Sequence, residues 1–175
     1  MRSFPRFVIP LLLAAMPAWS AAAAESGDVN WSAYLGDKSA SHYSILDQIT
    51  VGNASHLEVA WTWEAGDKRG NRTQIQCNPL VIDGVMYATT PSLNLAAVNA
   101  ATGEEIWRYE TKEPTGVNRG IAWWQDGDDR RILIGAGKWL QSVNADTGEL
   151  ITSFGEEGYV NLAEDMGIDA TGFAV

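Results

Sequence analysis

An all-β chain of repeated four-stranded units, the arrangement of a β-propeller, is the fold class this sequence predicts. Three observations lead there. Residues 97–103 read Ala-Val-Asn-Ala-Ala-Thr-Gly and residues 142–148 read Ser-Val-Asn-Ala-Asp-Thr-Gly, and Thr147 stands 45 positions after Thr102 with no gap needed between. A period of roughly 40–50 residues holding several short strands is the mark of a propeller blade. Within each period, short apolar runs alternate with Asp/Gly turns, the punctuation of antiparallel hairpins. The 17 glycines and 8 tryptophans among 175 residues suit a turn-rich, strand-rich protein with aromatic packing.

Taken in order, the chain opens with a targeting segment. Arg2 and Arg6 precede an apolar run from Val8 to Met16, too short to cross a bilayer core of roughly 30 Å. A small-residue tract follows, and Ala22-Ala23-Ala24 fits a cleavage site, so residues 1–24 read as a signal peptide and 25–175 as the mature, incomplete propeller. Without a twin-arginine pair, general export to a bacterial periplasm is expected. Residues 25–55 are polar and turn-rich, an extended arm with aromatic anchors at Trp31, Tyr34 and Tyr43 and one helical turn expected at Val51 to His56. Leu57 to Glu64 alternates, with Leu57, Val59, Trp61 and Trp63 on one side, and reads as a period-2 strand. Ala65 to Gln76 is a polar loop.

Two units then share one plan. A first strand (Leu80 to Ile82; Ile121 to Trp124) meets an Asp/Gly turn, and a second follows (Val85 to Thr90; Arg131 to Ile134). A third strand carries the repeated Val-Asn-Ala. A turn ending in Thr-Gly, capped by an Asn or acidic side chain with glycine at positive φ, leads to a fourth (Glu104 to Tyr109; Glu149 to Phe154). Trp107 in the first unit is expected to pack between neighbouring blades. The second unit has Thr152 at that position, so the repeat is imperfect.

Charge narrows the function. The balance of 12 basic against 22 acidic side chains argues against a nucleic-acid surface, which needs a basic patch. The single cysteine, Cys77, cannot form an internal disulfide, and no Cys/His spacing suits zinc. His42 and His56 lie in the arm without convergent ligands. Asp126, Asp128 and Asp129 form an acidic hairpin turn that lacks the glycine and glutamate of a calcium loop. The stretch with ligand chemistry is Thr115-Gly116-Val117-Asn118-Arg119-Gly120, directly before an aromatic strand. A guanidinium presents a planar fork that fits a carboxylate, and a glycine beside it admits a flat ligand close to the backbone. The same residues can equally form a solvated turn.

The segment Ala97 to Trp107 is the tryptophan-docking motif of quinoprotein propellers. The arm is similar to a narrower set. Trp31-x-x-Tyr34-x-Gly36-Asp37, Tyr43-Ser44-x-Leu46-Asp47-Gln48-Ile49-Thr50 and Leu57-x-x-Ala60-Trp61-Thr62 resemble the mature N-terminus of pyrroloquinoline quinone (PQQ)-dependent alcohol and glucose dehydrogenases. Asn78 to Tyr87 and Val117-Asn118-Arg119-Gly120 continue the likeness across the mature chain.

That resemblance implies an eight-bladed propeller, of which this chain holds about two blades and the strand that closes the ring. It implies PQQ lying flat in the funnel, a bridging calcium ion, and hydride transfer from an alcohol, polyol or sugar while an aspartate takes the hydroxyl proton. Electrons would pass to a quinone or cytochrome. Arg119 matches the arginine on a cofactor carboxylate, Val117 an apolar wall, and Gln76 a position often held by a hydrogen-bonding glutamate. Calcium ligands and the base are expected beyond Val175, so no catalytic or metal residue is assigned here, and the chain is expected to be an N-terminal portion inactive alone. Glu113-Pro114 stands where alcohol-oxidising members have adjacent cysteines, and no histidine lies near Thr115 as in glucose-oxidising ones. Phe154 to Leu162 resembles the glucose and polyol branch more. The alternative is a non-enzymatic propeller scaffold of the outer-membrane assembly type, which needs no carboxylate clamp.

Overall fold

The computed structural model describes residues 29–70, 74–114 and 116–164. The signal-peptide segment lies outside them. Among the described residues, eight strands form two four-stranded antiparallel sheets in simple meander order. The first blade is β1 (Leu80–Ile82), β2 (Val85–Thr89), β3 (Leu95–Asn99) and β4 (Glu105–Tyr109). The second is β5 (Ala122–Asp126), β6 (Asp129–Ala136), β7 (Trp139–Asn144) and β8 (Tyr159–Asn161). The expected helical turn is a single 3₁₀ turn, Ala54–His56.

The turns follow from their residues. Asp83 and Gly84 both take positive φ, 50° and 76°, so β1 and β2 join through a type I′ hairpin with Ile82 opposite Val85. The third turn of each blade is held by asparagine. Asn99 Oδ1 accepts from the backbone N–H groups of Ala101 and Thr102, and Asn144 Oδ1 does the same for Asp146 and Thr147. The side chain supplies the acceptor that a tight turn otherwise leaves missing.

Those turns are also seats for tryptophan. Trp107 donates its indole N–H to Ala145 O at 3.0 Å and lies over Gly148. Trp61 donates to Ala100 O at 3.1 Å and lies over Gly103. The arm thus docks on blade one as blade one docks on blade two. Between the sheets, Leu80, Ile82, Tyr87, Leu95 and Ala97 pack against Ile121, Ile132, Ile134, Val143 and Ala145. Tyr87 is 1% exposed, sits 5.9 Å from Trp107 and 6.1 Å from Trp123 between ring centroids, and donates its hydroxyl to Ala145 O at 3.3 Å.

Two expectations need correction. Leu57 to Glu64 forms no strand, and Leu57 and Val59 are 62% and 83% exposed. A strand is defined by its ladder, and no described segment pairs with this one. The fourth strand of the second unit is not Glu149 to Phe154. Leu150 makes one bridge to Val143, and Ile151 N donates to Ser142 O. The chain then turns away at Thr152 and rejoins the sheet as β8. Gly155 and Gly158, both at positive φ, build this excursion, and a Cβ on Gly158 would meet Leu150 Cγ at 2.6 Å.

Candidate cofactor site

Antiparallel order sorts the connections onto two ends of the blades. One end carries Gln76 to Asn78 before β1, the β2–β3 turn, the segment after β4, Val117 to Gly120 before β5, and the β6–β7 turn. The other end carries Asp83-Gly84 and the two asparagine-capped turns. This second end is a structural lock: Arg130 bridges Asp83 of blade one at 2.9 Å and pairs with Asp146 of blade two. Asp83 also accepts from Asn30 of the arm at 3.1 Å.

At the first end the two predicted site segments meet. Asn78 pairs with Gly120 in a parallel bridge, and both the backbone N–H and the side-chain amide of Asn78 donate to Arg119 O at 3.1 Å. Arg119 is thereby joined to the strand entry that Gln76 begins two residues earlier. The backbone of Arg119 is fixed while its side chain is exposed. Gln76 and Val117 are half-buried.

The arginines differ in what they touch. Arg108 pairs with Glu105, Arg130 with Asp83 and Asp146, and Arg131 with Asp129. The Arg119 guanidinium makes no ion pair or hydrogen bond among the described residues. In a chain of formal charge −10, a cation left without a carboxylate is available to an anionic ligand. Beside it, Gly120 faces open space where a Cβ would sit. A guanidinium fork, a neutral amide, an apolar wall and an uncrowded glycine suit a flat, carboxylate-bearing ring system, so the donor set fits PQQ.

Other sequence candidates fall away from this end or carry no ligand chemistry. His42 and His56 are both exposed. Asp129 is engaged by Arg131, which holds its carboxyl below the usual range. Cys77 is half-buried, and burial pushes its thiol pKa up, so it is a neutral packing group. Among the described residues no three His, Cys, Asp or Glu side chains converge as a metal set.

Sequence reasoning missed three residues that hold the site segment. Asn118 is 3% exposed and donates to Gly135 O at 3.0 Å. Gln141 is fully buried, and its Oε1 accepts from the Tyr109 hydroxyl and from Lys112 N, each at 2.9 Å. Lys112 places its ammonium 3.9 Å from the Trp139 ring centroid and 4.2 Å from that of Tyr159. The neighbouring asparagine within Val-Asn-Arg-Gly was the only available signal. The other contacts join residues 27 to 47 positions apart.

Comparison with known proteins points to one family. A family model described as the PQQ glucose/ethanol/alcohol dehydrogenase β-propeller domain matches residues 31–175. The dehydrogenase subunit of a quinone alcohol dehydrogenase from Komagataeibacter europaeus is 39% identical over 132 residues, covering 66% of this chain and 17% of that protein. Quinoprotein glucose dehydrogenase A of Acinetobacter calcoaceticus is 31% identical over 166 residues, covering 78% and 21%. The crystal structure of quinohemoprotein alcohol dehydrogenase from Comamonas testosteroni superposes with a TM-score of 0.64 at 29% identity, covering 78% of this chain and 20% of that one. The chain therefore spans about a fifth of the length of the relatives it matches.

Proposed function

The chain belongs to the PQQ-dependent glucose/ethanol/alcohol dehydrogenase β-propeller family, and from that premise we propose that it forms the arginine-bearing part of the cofactor site in a periplasmic dehydrogenase acting on an alcohol, polyol or sugar hydroxyl. The observation that carries this reading is the Arg119 guanidinium, without an acidic partner among the described residues, at the end where both strand entries meet.

When bound, PQQ supplies a two-electron acceptor for the hydride of the substrate carbon. The residues of this chain bind and orient. Arg119 forks a carboxylate, which fixes the ring plane. Gln76 offers a hydrogen bond without charge, so the clamp on this side has a net positive sign. Val117 shields one edge from water. In this reading a calcium ion is held by carboxylates of further blades, and a quinone or cytochrome takes the electrons. Residues 1–24 direct export to the periplasm.

The test is titration of the full-length gene product with PQQ and calcium, read by tryptophan fluorescence, followed by dye-linked oxidation of ethanol, glycerol and glucose. Saturable quinone binding lost in Arg119→Ala supports the assignment. A full-length protein that binds no quinone refutes it.

A further inference from the structure

The segment that delivers Arg119 is gripped at both ends by one hairpin of the second blade. At its start, Lys112 N donates to the buried Gln141 Oε1 at 2.9 Å. The Lys112 ammonium enters the corner between Trp139 and Tyr159, whose rings meet edge-to-face at 6.0 Å and 69°. At its end, Asn118 donates to Gly135 O. Gly135, Trp139 and Gln141 all belong to the β6–β7 hairpin, where Ala136 pairs with Trp139 and Gly135 with Leu140. Between the grips, Glu113, Pro114 and Gly116 are exposed, and Glu113 and Gly116 take positive φ. Among the described residues, Glu113, Pro114 and Gly116 make no hydrogen bond or ion pair, so the anchors on either side set the course of this short stretch.

The Asn118 anchor is local to Arg119. Lys112 is not: it lies seven positions away, and its cation is held by two aromatic faces on β7 and β8. The ammonium makes no ion pair among the described residues, although Glu156, Glu157 and Glu164 line the same cleft of about 450 Å³. A cation over two rings in a partly dry corner is held by their quadrupoles and is less sensitive to salt than a surface pair.

We propose that Lys112 is a positioning residue for the cofactor clamp, a latch that fixes the start of the segment leading to Asn118 and so sets where Arg119 points. The inference rests on the cofactor reading given above. It concerns a residue that touches neither cofactor nor substrate.

The experiment compares Lys112→Met, which keeps the stem and loses the charge, with Lys112→Arg, which keeps a cation over the rings. Both are made in the full-length protein, with Arg119→Ala alongside. Two readouts are taken: the PQQ dissociation constant by fluorescence titration, and hydrogen exchange of the non-proline amides between 113 and 118 without quinone. Lys112→Met should weaken PQQ binding about tenfold, the scale of a partly desolvated cation–π contact, and speed exchange in that stretch. Lys112→Arg should restore both to within about twofold. Normal exchange and normal affinity in Lys112→Met overturn the latch, even when Arg119→Ala loses the quinone. Normal affinity in Arg119→Ala sinks the cofactor reading instead, and the exchange data then judge the latch alone. Should Lys112→Met unfold the protein, Tyr159→Leu removes one wall of the corner and should give the same paired change. Affinity that falls only in step with global stability, without rescue by arginine, overturns the proposal.

Discussion

Replacing Gly148 with alanine should destabilise the chain by about 3 kcal/mol, and the figure can be built from two separable parts. Gly148 sits at φ 75°, and a non-glycine residue in the left-handed region costs roughly 1–2 kcal/mol. The added Cβ would also stand 2.7 Å from Trp107 Cδ2 and 2.8 Å from Cε3, closer than carbon atoms pack. The indole must move, which strains its hydrogen bond to Ala145 O, and overpacking of this kind adds about 1–3 kcal/mol. Gly84 supplies the control. Its φ is 76°, but no atom lies within 4 Å of its added Cβ, so Gly84→Ala should cost only the backbone part. Urea unfolding followed by tryptophan fluorescence measures all three proteins. In a Trp107→Ala background the clash disappears, and Gly148→Ala should fall to the Gly84→Ala value, a coupling of about 1–3 kcal/mol. Equal costs for Gly148→Ala and Gly84→Ala in the native background, or no coupling to Trp107, would refute the account of tryptophan seating.

Arg119→Ala in the full-length protein should weaken PQQ binding by roughly 2–3 kcal/mol, the scale of one charge-assisted pair, while urea stability stays unchanged; isothermal titration decides. Burial pushes the Tyr87 pKa up to about 12. The native state therefore holds this proton where the unfolded chain releases it, and its contribution, complete below about pH 10, is lost as pH rises from 10 to 12. Tyr87→Phe should flatten the fall in urea midpoint over that window, and an unaltered profile would remove Tyr87 from the alkaline transition. Hydrogen bonds from Ser41 and Ser39 lower the Asp37 pKa to about 2. Its loop should therefore stay ordered at pH 3 and loosen only as pH falls through 2, which a carboxyl carbon titration by NMR would show.

The repeat of Val-Asn-Ala and Thr-Gly was enough to find both blades, because turn chemistry is local: Asn99 and Asn144 cap turns two and three residues away. The docking of Trp107 followed from the same period. Leu57 to Glu64 could not be read correctly from alternation, since alternation shows a capacity to pair and the ladder needs a partner elsewhere. The displaced fourth strand was foreshadowed by Thr152 in place of a tryptophan, but only the crowding at Gly155 and Gly158 shows how far the chain departs. At the proposed site, Arg119, Val117 and Gln76 were named through resemblance alone. The anchors Lys112 and Gln141 were not, because their partners are remote in sequence and mixed in type, a cation on rings and an amide on a phenol.

The seating of Trp61 over Gly103 and of Trp107 over Gly148 has a consequence for biosynthesis. Each indole leaves the ribosome roughly forty residues before the glycine that receives it, a delay of roughly 2–8 s at 5–20 residues per second. During that interval a large aromatic surface waits without its socket. The arm is thus sealed by the synthesis of blade one, and blade one by the synthesis of blade two, so the nascent chain carries an open indole until each socket is made. Chaperone demand should follow those open indoles along the chain and end when the last socket is made.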